Sequence, residues 1–157
     1  MVRLAQQYAP ARGAHSHTGL SRWQSVTREG NQAFEQGDFS TALSHYQEAL
    51  DLAQRFAPEA PDAAPALVVS HHNLAELHER QGQSDDAARH LCRAHEALCA
   101  RAADDSGEES IRVTAWRHTR VTYAALLRFL QRHPEHAAAQ RAARLSSGDG
   151  PFQTLPN

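Results

Sequence analysis

A small or apolar residue followed by a second one twelve positions later recurs three times in this chain, as Gly30 with Ala42, Ala75 with Ala87 and Leu126 with Ala138. Each pair leads into two more apolar positions at helical spacing: Tyr46 and Ala49, Leu91 and Ala94, Ala142 and Leu145. Between the two members of each pair stands a breaker, Gly37, Gly82 or His133. A unit that repeats in this way is one supersecondary element stacked on copies of itself. Two helices joined at the breaker satisfy it, with small residues where their backbones approach and larger ones filling the groove to the next unit.

The local patterns agree. Trp23, Val26, Gly30, Ala33 and Phe34 fall near helical spacing, and the run stops at Gln36-Gly37-Asp38. A second helix starts at Ser40 or Thr41, with Ala42, Leu43, Tyr46, Ala49, Leu50 and Ala53 on one face, and Pro58 and Pro61 end it. Ala66 to Gln81 forms the next helix, with Leu67, Leu74 and Leu77 inward, and Ser84 is a suitable N-cap for a fourth carrying Ala87, Leu91, Ala94 and Leu98. A third pair runs from about Glu109 to Arg132 and from Glu135 to Leu145. The expected architecture is all-α: a short α-solenoid of about three antiparallel helical hairpins, at 22–57, 65–103 and 109–145, within a domain spanning 21–145. Residues 1–20 read as a flexible leader and 146–157 as a flexible tail. The offsets of 45 and 51 residues between units place the excess length in the 58–65 and 104–109 connections.

Composition narrows the function. Strand-favouring β-branched runs are scarce, the longest apolar one being Val68-Val69. All 16 cationic residues are arginines, yet the formal net charge is -2, which gives no overall electrostatic footprint for nucleic acid and no basic face for a membrane surface. No stretch reaches the roughly 20 apolar residues of a spanning helix, and the N-terminus lacks a secretory h-region, so a cytoplasmic location is expected. Cys92 and Cys99 lie seven residues apart, about 10.5 Å along one helix and too far to bridge each other.

At this point the sequence resembles the tetratricopeptide repeat family. Arg28-Glu29-Gly30-Asn31-Gln32-Ala33-Phe34, with Gly37, Ala42-Leu43, Tyr46 and Glu48-Ala49-Leu50, resembles first repeats of co-chaperone adaptors that grip peptide C-termini. Asn73-Leu74-Ala75-Glu76-Leu77, with Gln81-Gly82 and Ala87, resembles repeats of the kinesin-light-chain type. The resemblance covers residues 22–103 well and 110–145 poorly. It implies a right-handed stack whose first helices line a concave groove that holds a partner peptide. In the adaptors, asparagines and basic residues clamp the peptide's carboxylate and backbone. Asn31 and Asn73 match the asparagine positions and Arg120 falls near a basic one, whereas Thr27 and Ala124 stand where further basic residues are expected.

The expected groove set is therefore Thr27, Asn31, Phe34 and Glu35, then His72, Asn73, Glu76 and Glu79 or Arg80, then Arg120, Tyr123 and Leu127. Asparagine donates and accepts at once, which suits a peptide backbone, and arginine grips a carboxylate in bidentate fashion. Cross-linking of neighbouring hairpins by Asn31 and Asn73 is the alternative. Cys92, His95 and Cys99 share a helix face and are ligand types for zinc or copper(I), although two helical turns separate the cysteines and small cysteines pack well between helices. The 11 histidines raise pH sensing as an idea, and nothing in the sequence pairs them. No nucleophile elbow, phosphate-binding glycine loop, HExxH or cofactor motif is present, so no enzymatic activity is expected. The reading is an adaptor or chaperone-like module with a protein or peptide partner. A homodimer through an apolar face of the third hairpin (Trp116, Phe129, Leu130) and a Cys/His metal-handling protein are the alternatives.

Overall fold

The computed structural model describes residues 17–146, and every regular element among them is an α-helix. In chain order these are α1 (His17–Glu35), α2 (Phe39–Gln54), α3 (Ala63–Arg80), α4 (Ser84–Ala102), α5 (Glu109–Arg132) and α6 (Ala137–Arg144). Consecutive helices pack on one another, and α1 also meets α3, α3 meets α5 and α4 meets α6. That neighbour pattern is an α-solenoid of three hairpins, in which each unit buries its apolar face against the next.

The first two hairpins turn by the same chemistry. Gly37 and Gly82 have φ of 78° and 72°, the left-handed conformation that glycine adopts without a Cβ penalty. Around Gly37 the Asp38 amide donates to the Ala33 carbonyl at 2.9 Å and the Gly37 amide to that of Phe34 at 3.0 Å. Around Gly82 the Gln83 amide donates to the His78 carbonyl at 2.8 Å and the Gly82 amide to that of Glu79 at 3.0 Å. Both are Schellman ends, which satisfy carbonyls the helix leaves over. Asp38 then caps α2 by accepting from the Thr41 amide at 3.1 Å. The third turn is built differently: His133 has φ of −131°, and the His136 ring accepts from the Ala139 amide at 3.3 Å to start α6.

Several boundaries differ from the sequence reading. α1 begins at His17, so residues 17–20 of the expected leader are helical, and Leu20 is buried with Trp23 and Val26. The rest of that leader, and the expected tail after Ser146, lie outside the described residues. α3 begins at Ala63 with Pro65 in its first turn; a proline is tolerated there because those amides have no helical acceptor anyway. Gln83 is the N-cap of α4, one residue before Ser84.

The core runs along the stack as four clusters. Trp23 and Val26 of α1 meet Ala49 and Ala53 of α2 and Ala66 of α3. Ala33, Ala42, Tyr46, Leu50, Leu67, Leu74 and Leu77 fill the space beside them. Ala64, Val68, Leu98, Ala102 and Ala115 join α3, α4 and α5. Ala75, Leu91, Cys92, Leu126, Phe129 and Ala142 close the far end. The first repeat is pinched at Gly30, where a Cβ would stand 2.6 Å from the Tyr46 ring, so only glycine lets α1 and α2 approach this closely.

Candidate functional site

The odd-numbered helices run side by side in the same direction. The Trp23 indole donates to Ser70 Oγ at 2.9 Å, and farther along the Arg80 guanidinium sits 5.7 Å from the centre of the Phe34 ring. Both contacts advance toward the C-terminal ends, so α1 and α3 are parallel. α5 continues the array: Arg132 donates to Glu79 Oε1 at 3.3 Å, and His133 Nε2 lies 3.4 Å from the same oxygen. One face is thus presented jointly by α1, α3 and α5.

The expected groove residues divide on this face. Glu35, Glu76, Arg80, Arg120 and Leu127 are exposed, and Asn31, Phe34, His72, Asn73, Glu79 and Tyr123 are half-buried. Thr27 is a correction: it is only 2% exposed, because it lies in the α1–α3 seam between the Trp23–Ser70 and Phe34–Arg80 contacts, where a ligand has no access. Its Oγ1 has no protein partner, and neither do the buried Nε2 of His72 and Nδ2 of Asn73.

Asn31 does hold a neighbouring helix. Its Oδ1 accepts from the Tyr46 hydroxyl at 2.8 Å, so that oxygen serves the first hairpin. Phe34 packs against the rings of Phe39 and Tyr46, at 5.5 and 6.5 Å between centres. Tyr123 turns toward α4, its ring 6.2 Å from that of His95. His72 is held neutral: burial and then the nearby Arg128 guanidinium push its pKa down to about 4.

The largest departure from the sequence reading is on α5. Val113, Trp116 and Leu127 are 40%, 41% and 41% exposed, and Arg120 stacks over Trp116 at 4.6 Å. At 100° per residue these four positions fall within a sector of about 60°. Phe129, expected to share an apolar face with Trp116, is fully buried in the far core cluster. Leu130 is half-buried against that cluster. The 3–4 spacing of residues 113, 116, 120 and 127 was the available signal for the stripe, and Phe129 lies on the opposite side of the same helix.

The cysteine and histidine candidates do not converge. His95 is fully buried, with Nδ1 2.8 Å from Thr122 Oγ1 and Nε2 3.0 Å from Ser146 Oγ and 3.5 Å from Cys99 Sγ. Cys92 points instead into the apolar cluster with Phe129. Among the described residues no group of three or more His, Cys, Asp or Glu is placed to hold a metal ion. Burial pushes the Cys92 thiol up to about 11 and raises that of Cys99, so both resist becoming thiolates.

Two histidines that the sequence left unpaired are paired across the second hairpin. His71 Nδ1 and His90 Nδ1 stand 3.0 Å apart, and His78 stacks on His90 with centres 5.6 Å apart. One proton shared between the two nitrogens accounts for that separation. A cavity of about 370 Å³ opens elsewhere, between α4 and α6, with Asp85, Arg89, Glu96 and His136 on its rim. Its acids and bases offset one another, and it includes none of the expected groove residues.

A family model described as "Protein of unknown function (DUF2753)" matches residues 21–148. The chain is also 43% identical over 60 residues to proteins named "Photosystem I assembly protein Ycf3" from Synechococcus elongatus and from another Synechococcus strain. That stretch is 38% of this chain and 32% of each relative, so the match spans about a third of the relatives' own length. No solved structure matches the chain. No helix among the described residues is long and apolar enough to cross a membrane.

Proposed function

We propose, from the premise that the chain belongs to the DUF2753 family, that it is a protein-interaction module holding a segment of another protein against the α1/α3/α5 face. One observation carries this reading. Among the described residues the exposed large apolar side chains are Val113, Trp116, Leu127 and Leu145, and the first three form one stripe on that face. Soluble proteins scatter such residues singly, and several aligned on one side of a helix mark a contact site. The hairpins are read as tetratricopeptide-like, in keeping with the repeated Schellman turns and the parallel odd helices.

The partial likeness to proteins named for assembly of a complex supports an adaptor or chaperone-like role of that general kind, with no claim on the same partner. A non-catalytic role is part of this reading. A cytoplasmic location belongs to the same proposal.

A photo-reactive amino acid placed at Glu76 or Leu127 in the native host tests the reading, with Asp51 and Ala100, exposed on α2 and α4, as controls. Adducts to another protein from the first pair and not from the second are expected. Adducts from the controls alone would move the site to the outer helices. Adducts to the chain itself alone would put self-association in its place.

A further inference from the structure

The groove's partner has a chemistry that α5 specifies. Residues 109–144 carry seven arginines, at 112, 117, 120, 128, 132, 141 and 144, against only Glu109 and Glu135, in a chain whose formal net charge is -2. Arg132 is engaged by Glu79 and Arg112 by Asp105. Arg117, Arg120 and Arg128 are exposed, and among the described residues none has an ion-pair partner. They border the apolar stripe. At 100° per residue, Arg117 and Arg128 lie about 100° to 120° from Trp116, on the side of α5 that turns toward α3. Within α5 itself the only carboxylate is Glu109, one turn before Val113.

We infer that the stripe Val113–Trp116–Arg120–Leu127 receives an acidic amphipathic helix of a partner protein, and this inference rests on the groove reading above. The partner's apolar residues would cover Trp116 and Leu127, and its carboxylates would lie along the Arg117–Arg120–Arg128 edge. Trp116 to Leu127 spans about 16 Å of helix axis, a length that three turns of a partner helix cover. Tryptophan and arginine are the residue types that most often dominate such contacts. The contact of Arg120 over the Trp116 ring holds the guanidinium in place, ready to meet a carboxylate with little further loss of freedom.

The test is selection of displayed random 16-residue peptides on the full chain, followed by affinity measurement of the winners. Binding is compared among wild type, Trp116→Ala, an Arg117→Gln/Arg120→Gln double variant, Glu76→Ala on α3 of the same face, and the control Asp51→Ala on the outer helix α2. Melting curves matched to wild type establish that each variant is folded, and Leu127→Ala replaces Trp116→Ala if that variant is not. Peptides rich in Asp and Glu with apolar residues three and four apart are expected. Their affinity should fall about tenfold or more in the α5 variants, fall again with added salt, and persist in Asp51→Ala. Peptides lost by Glu76→Ala and kept by the α5 variants would overturn this inference and leave the groove reading standing. Peptides kept by every variant would remove both. Neutral or basic winners, an empty selection, or tighter binding of an oligouridylate probe by the same arginines would each overturn the acidic-helix assignment.

Discussion

The Tyr46 hydroxyl of α2 donates to Asn31 Oδ1 of α1 across 2.8 Å, and burial is the main reason the phenol is held well above its ordinary pKa. A buried hydroxyl that loses its acceptor keeps its desolvation cost. Asn31→Ala should therefore destabilise the chain by about 1–3 kcal/mol, and Tyr46→Phe by about 1 kcal/mol. The double variant should cost less than the sum, because each change removes the same bond. Urea unfolding of the four proteins measures this coupling, and simple additivity would show that the bond contributes nothing.

Gly30 and Gly37 are glycines for different reasons, which one substitution separates. Gly30→Ala gains about 1 kcal/mol of helix propensity but drives a Cβ to 2.6 Å from the Tyr46 ring. Net destabilisation of about 1–3 kcal/mol is expected from overpacking. Gly37→Ala meets nothing within 4 Å and should cost about 1–2 kcal/mol through its positive φ alone. Combining Gly30→Ala with Tyr46→Ala should recover the packing part of the first loss and leave the second untouched, as read from unfolding midpoints.

Trp116 and Phe129 are both aromatic residues of α5 with opposite roles. Phe129→Ala empties a fully buried site and should cost about 3–5 kcal/mol. Trp116→Ala changes a side chain that is 41% exposed and should alter stability by no more than about 0.5–1 kcal/mol. Acrylamide should quench the emission of Trp116 and largely spare that of Trp23, which is 5% exposed and bonded to Ser70. A Trp116→Phe protein that quenches as readily as wild type would contradict this placement.

The paired histidines share the acid response of stability with His72, which burial also pushes down. Burial, then the neighbouring rings and arginines, push His71 down to about 3 and His90 to about 4, from the ordinary 6.5. The folded state keeps both neutral where the unfolded chain would protonate them. Their contribution to stability is therefore complete above pH 6.5 and lost as pH falls toward 4 and then 3. Each such group contributes a slope of at most about 1.4 kcal/mol per pH unit in that window. Unfolding midpoints at pH 7, 6, 5 and 4 should fall steadily for wild type, and a His71→Gln variant should show a shallower fall between pH 6 and 4. Identical slopes would remove His71 from the account.

The helical hairpins were legible in the chain because their cause is local. Glycine at 37 and 82 stops a helix by its own backbone preference, and apolar spacing near 3.6 marks the face that must be buried. The start of α1 was missed because Leu20 is a single apolar residue among polar ones, and its burial depends on Trp23 and on α2 behind it. His133 stood in line with the two glycines in the repeat pattern, yet its turn closes through different bonds. A breaker's place in the repeat therefore did not carry its turn chemistry.

What the sequence by itself determined is the all-helical repeat and the register of its helices, since both follow from periodicity and turn residues along one stretch of chain. Only the tertiary structure decided which side chains the face presents. Thr27 shares the periodicity of a groove residue and is closed off by α3; Asn31 spends its oxygen on Tyr46; His71 meets a histidine nineteen positions away. Trp116 keeps 41% of its surface exposed, while Phe129 of the same helix is buried by α4 and α6 in the far core cluster. Exposure is a property of the neighbours a residue acquires, and one helix's periodicity names the face without naming what will lie against it.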